Sequence, residues 1–335
     1  MLTLINLTMK NILNKILTKR FQESIKPFRQ TDVCIIGGGS VGLAFSSLLS
    51  KFKVDHLVIE KEEKIPDHPK AHYLSPRTIE IMNYFDTFRY NEGKSILENN
   101  LNNLNYWRHY RYCGYLLDSD SYYGEIDHFQ PDPKAKLEYI NEISNAYPMH
   151  IGQNKLNKLL YNNNKGGDRN ENFIKGQNFE SFNYNKNEDI YEIYSKDNNN
   201  TNLLAKSKFI VACDGSHSRV RKLLNIKSKG DKNIQSFVNA HFFSLDLAKR
   251  LKEINKQSML HFIFNPQFVC VLISYDIEKG EFVIQIPYST EIEKESSFDE
   301  NECRKIIDVL ISDDKETRKS IRIVKIIFNI WILQE

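Results

Sequence analysis

Gly37-Gly38-Gly39-Ser40-Val41-Gly42 satisfies the spacing G-x-G-x-x-G, which suits a phosphate cradle. In that pattern the first glycine allows a tight turn, the second lets backbone approach a pyrophosphate, and the third permits close helix–strand packing. A helix opening here offers N–H groups and the positive end of its dipole to phosphate. Glu60 stands eighteen residues after Gly42, where a carboxylate would hold a pair of ribose hydroxyls. Gly37, Gly39, Gly42 and Glu60 therefore read as a dinucleotide site. The bland alternative is a glycine-rich turn in some other α/β unit.

Other reactive residues form weaker patterns. His68 and His72 are four apart, but Pro69 between them opposes a continuous helix, so a two-histidine metal face is not expected. Ser216-His217-Ser218 follows Asp214-Gly215, where small polar residues suit a turn better than a nucleophile. Tyr106, Trp107, Tyr110 and Tyr112 read either as the lining of an aromatic pocket or as a core or surface cluster. No catalytic acid or base and no metal site is assigned.

The elements that must position these residues follow from the pattern. Asp32–Ile36 is an apolar, partly β-branched run ending at the glycines, and Val41–Ser50 is helical with Leu43, Phe45, Leu48 and Leu49 as packing residues. His56–Glu60 is a second buried strand, which completes a right-handed βαβ unit. Ser75 and Pro76 open a helix over 75–90, and Gln153–Tyr161 forms another with Leu156, Leu159 and Leu160 on one side. Ile190–Tyr194 alternates in the strand period, and Lys208–Ala212 reads as a buried strand running into Asp214-Gly215. From about residue 235 the chain turns to hairpins: Ser258–Phe264, Phe268–Ser274 and Glu281–Pro287, which predict an antiparallel sheet. A helix over 301–312 follows.

Composition sets the outer bounds. A net charge of +3 over 335 residues gives no basic field that would point to nucleic acid. Five scattered cysteines without a C-x-x-C pair exclude a disulfide framework. The apolar run Ile323–Leu333 is interrupted by Lys325 and Asn329 and is too short to span a bilayer, so no integral membrane segment is expected. Positions 1–22 carry four basic and no acidic residues, with Ile5, Met9, Ile12 and Ile16 on one helical face. This composition predicts a mitochondrial presequence; the alternative is an unaddressed extension on a cytoplasmic protein.

Phe209 to Arg221, with Asp214-Gly215 at its centre, closely resembles the Asp-Gly motif of the flavin aromatic hydroxylases, the family of para-hydroxybenzoate and phenol hydroxylases. His68-Pro69-Lys70-Ala71 followed by Arg77-Thr78-Ile79-Glu80 resembles that family's Pro-Arg-Ala and Arg-Thr-Ile-Glu segment. Ile151-Gly152-Gln153 resembles the start of the helix whose glutamine contacts the flavin. The resemblance runs from residue 31 to about 320. It implies an α/β architecture, a Rossmann-type FAD-binding domain with a mostly parallel sheet and an interleaved antiparallel-sheet substrate domain. The expected boundaries are 31–90 with 148–228 for the first, 91–147 with 229–300 for the second, and 301–335 as a C-terminal helix and end.

By the same resemblance Gly37, Gly39, Gly42 and Glu60 hold the ADP half of FAD, and Gln153 contacts the cofactor. Asp214, with Gly215, serves FAD and an incoming NADH or NADPH. Lys70 stands where the family usually has arginine, which keeps the charge and loses the bidentate fork. Arg77 is either a second basic contact or part of a solvated face. The implied activity is hydroxylation of a small phenol-like aromatic with NAD(P)H and O2, with the assembly left open to a homodimer.

The family's Gly-Asp motif, with downstream proline and glycine residues, is expected after the substrate domain, and residues 301–335 contain no glycine or proline to form it. The alternative is therefore a truncated, inactive FAD- or nucleotide-binding fragment, or another FAD-dependent oxidoreductase on this scaffold. A fragment would also leave the apolar face of Ile306, Ile307, Leu310 and Ile311 without part of its packing.

Overall fold

A computed structural model describes residues 29–84, 90–91, 94–95, 108–127, 142, 146, 149–164, 172–197, 200–230, 234–311 and 314–331. The basic segment 1–22, the pair Tyr106–Trp107 and much of the polar 91–147 stretch lie outside the described residues. In chain order the elements begin with β1 (Arg29–Ile36), α1 (Ser40–Lys51), β2 (His56–Ile59), β3 (Tyr73–Leu74) and α2 (Pro76–Tyr84). The short strands β4 (Tyr90–Asn91) and β5 (Lys94–Ser95) precede β6 (His109–Cys113), β7 (Tyr122–Asp127) and β8 (Met149–His150). Next come α3 (Gln153–Asn164), β9 (Phe173–Ile174), β10 (Asn178–Asn185), β11 (Ile190–Asp197), β12 (Asn200–Ala212) and α4 (Arg219–Leu223). Then follow β13 (Gln235–Phe243), α5 (Leu245–Glu253), β14 (Leu260–Phe264), β15 (Val269–Asp276) and β16 (Glu281–Tyr288). The last are α6 (Glu300–Leu310), α7 (Lys315–Ser320) and β17 (Arg322–Trp331).

The chain divides into two units, the first formed by Met1–Lys64 and Asn164–Ile226, the second by Ile65–Asn163 and Lys227–Glu335. This division differs from the expected boundaries. Residues 65–90 and 148–163 group with the second unit, because β3 pairs with β8 and both segments bond to the antiparallel sheet's own strands. Residues 301–335 likewise fall within the second unit and are not a separate end.

The first unit is a six-stranded sheet in the order β10-β11-β12-β1-β2-β9. The pairs β12–β1, β1–β2 and β2–β9 are parallel, and β10–β11–β12 is an antiparallel meander. Cys34, Ile35, Ile36, Leu57, Val58 and Ile59 are all buried, as their near-continuous apolar runs require of strands covered on both faces. His56 fixes α1 to this layer: its Nδ1 lies 2.9 Å from the Val54 carbonyl, and its Nε2 lies 2.8 Å from Ser46 Oγ. A carbonyl only accepts, so Nδ1 carries the hydrogen and Nε2 accepts from the serine. The strand at Lys208–Ala212 is present but less buried than expected, with Phe209 63% exposed. There β11 pairs with β12 only as far as Ser207, leaving β1 as the paired neighbour of the strand's end.

The second unit is a seven-stranded sheet in the order β17-β13-β16-β15-β14-β6-β7. It is antiparallel as expected except for the parallel pair β14–β6, a pairing between strands far apart in sequence. One face packs Val238, Ala240 and Phe242 of β13 against Leu247 and Leu251 of α5 and Ile307 and Leu310 of α6. The apolar face of α6 is therefore covered: Ile306, Ile307, Leu310 and Ile311 are all buried, contrary to the expectation of a missing partner. Asp299 caps α6 by accepting from the Glu302 amide at 2.8 Å, and Ser244 caps α5 through the Leu247 amide at 3.1 Å. The late apolar run is an edge strand, β17, antiparallel to β13. Among the described residues no helix is long and apolar enough to cross a membrane.

Candidate functional site

In the first unit, register brings two loops side by side. Ile36 at the end of β1 lies opposite both Ala212 of β12 and Ile59 of β2. The segments leaving those strands, Gly37–Gly39 and Cys213–Gly215, thus emerge together at the carboxyl end of parallel strands, where open α/β sheets bind ligands. Cys213 N–H donates to Ile36 O at 2.7 Å and Gly37 N–H to Ile59 O at 2.8 Å, which pins both loops to the sheet.

Each glycine of the motif answers to a different constraint. Gly37 has φ +104°, and a Cβ there would collide with the Cys213 carbonyl. A Cβ on Gly42 would collide with the Gly37 carbonyl oxygen, so this residue is a packing requirement of the turn itself. Gly39 is the contrast: a Cβ would meet no atom of the described residues within 4 Å. The protein does not need a glycine there for its own packing, which leaves room for something else to approach that backbone. Gly39 is also the N-cap of α1, with no side-chain cap and no acidic residue in the first turn to compete with an anion.

Two carboxylates border the turn. Glu60 Oε2 accepts from Gly38 N–H at 2.6 Å and Oε1 accepts from Glu62 N–H at 2.9 Å. These bonds fix the carboxylate while leaving each oxygen a further lone pair for a hydroxyl donor. Asp214 Oδ2 accepts from the amides of Arg219 at 2.7 Å and Val220 at 3.2 Å, capping α4 together with Ser218. Its Oδ1 is buried and has no hydrogen-bond partner among the described residues, an acceptor that burial makes costly to leave unused. Gly215 follows at φ +80°. An open cradle at Gly39, an oriented carboxylate at Glu60 and an orphaned acceptor at Asp214 fit a group carrying both phosphates and hydroxyls. FAD is such a group.

Lys70 and Gln153 belong to the second unit and lie close to each other through backbone. Gln153 N–H donates to Ala71 O at 2.8 Å, and Ile151 N–H donates to His72 O at 2.8 Å. The Lys70 side chain is exposed, whereas its carbonyl accepts from the Tyr275 hydroxyl at 2.6 Å. Arg77, 79% exposed, pairs with Glu80 at 3.0 Å and belongs to a solvated helix face. Ser75 opens α2 as expected, its Oγ accepting from Thr78 N–H at 3.3 Å.

A sequence model of the family described as FAD binding domain matches residues 30–329. The chain belongs to the FAD binding domain family. It is similar to 2,4-dichlorophenol 6-monooxygenase of Cupriavidus pinatubonensis (strain JMP 134 / LMG 1197), 23% identical over 238 residues, covering 71% of this chain and 37% of that protein. Among solved structures it matches the flavin-dependent monooxygenase PieE in complex with FAD and substrate, with TM-score 0.77 and 19% identity. That match covers 92% of this chain and 51% of PieE. Aklavinone-11 hydroxylase with FAD and aklavinone matches with TM-score 0.72 and 17% identity, over 92% of this chain and 54% of that one. These likenesses show the fold, and the chain spans about half the length of these solved relatives and 37% of the curated one.

A buried polar group in the second unit escaped the sequence reading. Lys155 Nζ pairs with Asp276 at 2.9 Å and Glu281 at 3.2 Å, and Glu281 in turn reaches His241 Nε2 at 3.2 Å. Burial opposes both carboxylates, but Lys155 beside Asp276, and His241 with Lys155 beside Glu281, hold them below the usual carboxylate range. His150, fully buried, is pushed down to about 3 by desolvation and by His72. Two acidic residues flanking the Glu278-Lys279-Gly280 turn and a histidine within β13 were the available signals, and nothing local says that they meet.

Proposed function

We infer that the chain serves an FAD-dependent monooxygenase reaction that hydroxylates a phenol-like aromatic with NAD(P)H and O2. The observation that carries this reading is the pairing of the open Gly39 cradle with the unpartnered Oδ1 of Asp214 across adjoining loops. FAD, when bound, supplies the redox chemistry that such an oxygen insertion needs.

The chain's own residues do the rest. The Gly39 backbone and the start of α1 take the pyrophosphate, Glu60 holds ribose hydroxyls, and Asp214 Oδ1 accepts from a cofactor hydroxyl. One face of the second unit's sheet supports a planar aromatic substrate: Tyr112 stacks on Phe262 at 5.1 Å between ring centroids and faces Phe264 at 6.5 Å. Tyr110 meets Phe262 edge-on at 6.0 Å. The similarity to a dichlorophenol monooxygenase supports the same substrate class. Shielding a reactive centre from water is the part a packed aromatic face would play.

The test is to load the purified protein with FAD and measure NADPH oxidation, peroxide and hydroxylated product with and without a panel of phenols. Phenol-dependent oxidation with product formation supports the reading. A protein that binds ADP but neither retains FAD nor oxidises NADPH supports a nucleotide-binding module instead.

A further inference from the structure

One face of the second unit's sheet is aromatic at one end and polar at the other, and the strand register joins the two. Residues opposite one another on neighbouring strands share a face. Asn239 of β13 lies opposite Gln285 of β16, and Gln285 opposite Val271 of β15. Val271 lies opposite Phe262 of β14, and Phe262 opposite Tyr112 of β6. These five side chains therefore form one row across the sheet. With neighbouring strands about 4.8 Å apart, Asn239 stands about 10 Å from Val271 and about 14 Å from Phe262. Along the row Gln285, Val271, Phe262 and Tyr112 are half-buried, whereas Asn239 is 2% exposed.

The polar end holds hydrogen-bonding capacity that the fold does not use. Asn239 Nδ2 is buried without a hydrogen-bond partner among the described residues, and so is His68 Nδ1. His68, 7% exposed, meets His241 edge-on at 5.5 Å. His241 stands two residues along β13 from Asn239 and on the same face, so both idle atoms belong to one end of the row. Buried polar atoms are rarely left unpaired, because nothing then replaces their lost hydration. The neighbouring Glu281 is satisfied, by contrast, through Lys155 and His241. Burial pushes His68 down to about 4, so its ring is neutral at physiological pH. A neutral carboxamide and a neutral imidazole suit an uncharged oxygen acceptor better than a carboxylate, the more so with Glu281 beside them.

We propose that this row is a ligand subsite in which an aromatic ring lies over Val271 and Gln285 and Asn239 Nδ2 donates to a carbonyl oxygen carried by that ring. The substrate class is then a phenol with an uncharged carbonyl substituent, such as a hydroxyaryl ketone. This rests on the aromatic-hydroxylase reading above, whose substrate it specifies. Asn239 is the specificity-determining residue: a site with an idle buried donor favours the acceptor-bearing ring over the analogue that lacks it.

The probes are 4-hydroxyacetophenone and 4-isopropylphenol, which differ in little but the carbonyl oxygen, titrated calorimetrically into the full chain with and without FAD. The ketone should bind about tenfold more tightly, the effect of one added hydrogen bond. Asn239→Leu, close in shape, should bring the ketone down to the affinity of the alkylphenol and leave the alkylphenol unchanged. Because Nδ2 has no partner to lose, the same substitution should leave the Tm of the unliganded protein unchanged or raise it. Equal affinities for the two probes, or no binding of either, overturn the proposal. A lowered Tm or a failure to fold in Asn239→Leu also overturns it, by showing that the carboxamide is structural. Tighter binding of 4-hydroxybenzoate than of the ketone overturns the choice of an uncharged acceptor. If the ketone preference holds but the FAD-loaded protein oxidises no NADPH with either probe, the subsite stands and the hydroxylase reading falls.

Discussion

In the first unit the candidate site is built from backbone and two carboxylates: Gly37 to Gly39 turn against Cys213–Gly215, and Glu60 and Asp214 are oriented by main-chain amides. In the second unit the buried polar ties are made by side chains: Tyr275 reaches the Lys70 carbonyl, His150 the Ser274 carbonyl, and Lys155, Asp276, Glu281 and His241 form one group. A backbone site imposes residue types at fixed local spacing, because only glycine fits where a Cβ would strike a carbonyl. A side-chain network imposes no spacing. Its members are set by which strands happen to pair, so the first kind of site tolerates almost no substitution and the second tolerates conservative ones.

The sharpest break of that contrast comes from two glycines three residues apart. Gly42→Val drives a side chain into the Gly37 carbonyl and should unfold the first unit or cost more than about 3 kcal/mol, read by thermal denaturation. Gly39→Val, with nothing within 4 Å of its Cβ, should stay within about 1 kcal/mol of the parent in the same melt.

Acid should next reveal the second unit. Desolvation pushes His68 down to about 4, His150 to about 3 and His261 to about 4, so all three are neutral in the folded chain at neutral pH. The unfolded chain protonates them near 6.5 and therefore binds more protons, so stability falls as pH drops from about 6.5 toward 4. Each histidine should contribute a loss on the order of 1 kcal/mol per pH unit within that window, measured as Tm against pH. His150→Gln should flatten the curve.

Asp214→Asn should act more gently on the fold and more selectively on the ligand. It weakens the acceptor that caps α4, worth about 1 kcal/mol, and should weaken FAD binding about tenfold, because Oδ1 would no longer be a charged acceptor. At the small end, Arg77→Ala removes only an exposed pair with Glu80 and should change stability by less than about 0.5 kcal/mol and FAD affinity not at all.

What the sequence disclosed follows the same line. The glycine turn, α1, β2 and the Asp214 loop were legible because each is dictated by neighbours within a few residues. The membership of residues 65–90 and 148–163 in the second unit was not, since it depends on β3 meeting β8 and on Tyr275 reaching Lys70. Strand β13 alternates apolar and polar residues over Val238, Asn239, Ala240, His241 and Phe242, yet all five are buried, so its polar face is turned inward where the pattern alone would place it in water. Strand β17 was obscured by Lys325, a charge that an edge strand can expose. The Lys155–Asp276–Glu281–His241 group joins residues more than a hundred positions apart along the chain, and no spacing rule announces it.

The central claim is that the open backbone at Gly39 is the cofactor's place. Titrating the protein and its Gly39→Val variant with FAD, with circular dichroism on both to confirm equal folding, tests it directly. The protein should quench flavin fluorescence with saturable uptake, and the equally folded variant should take up none. Equal FAD uptake by both, or none by the unsubstituted protein, would contradict it.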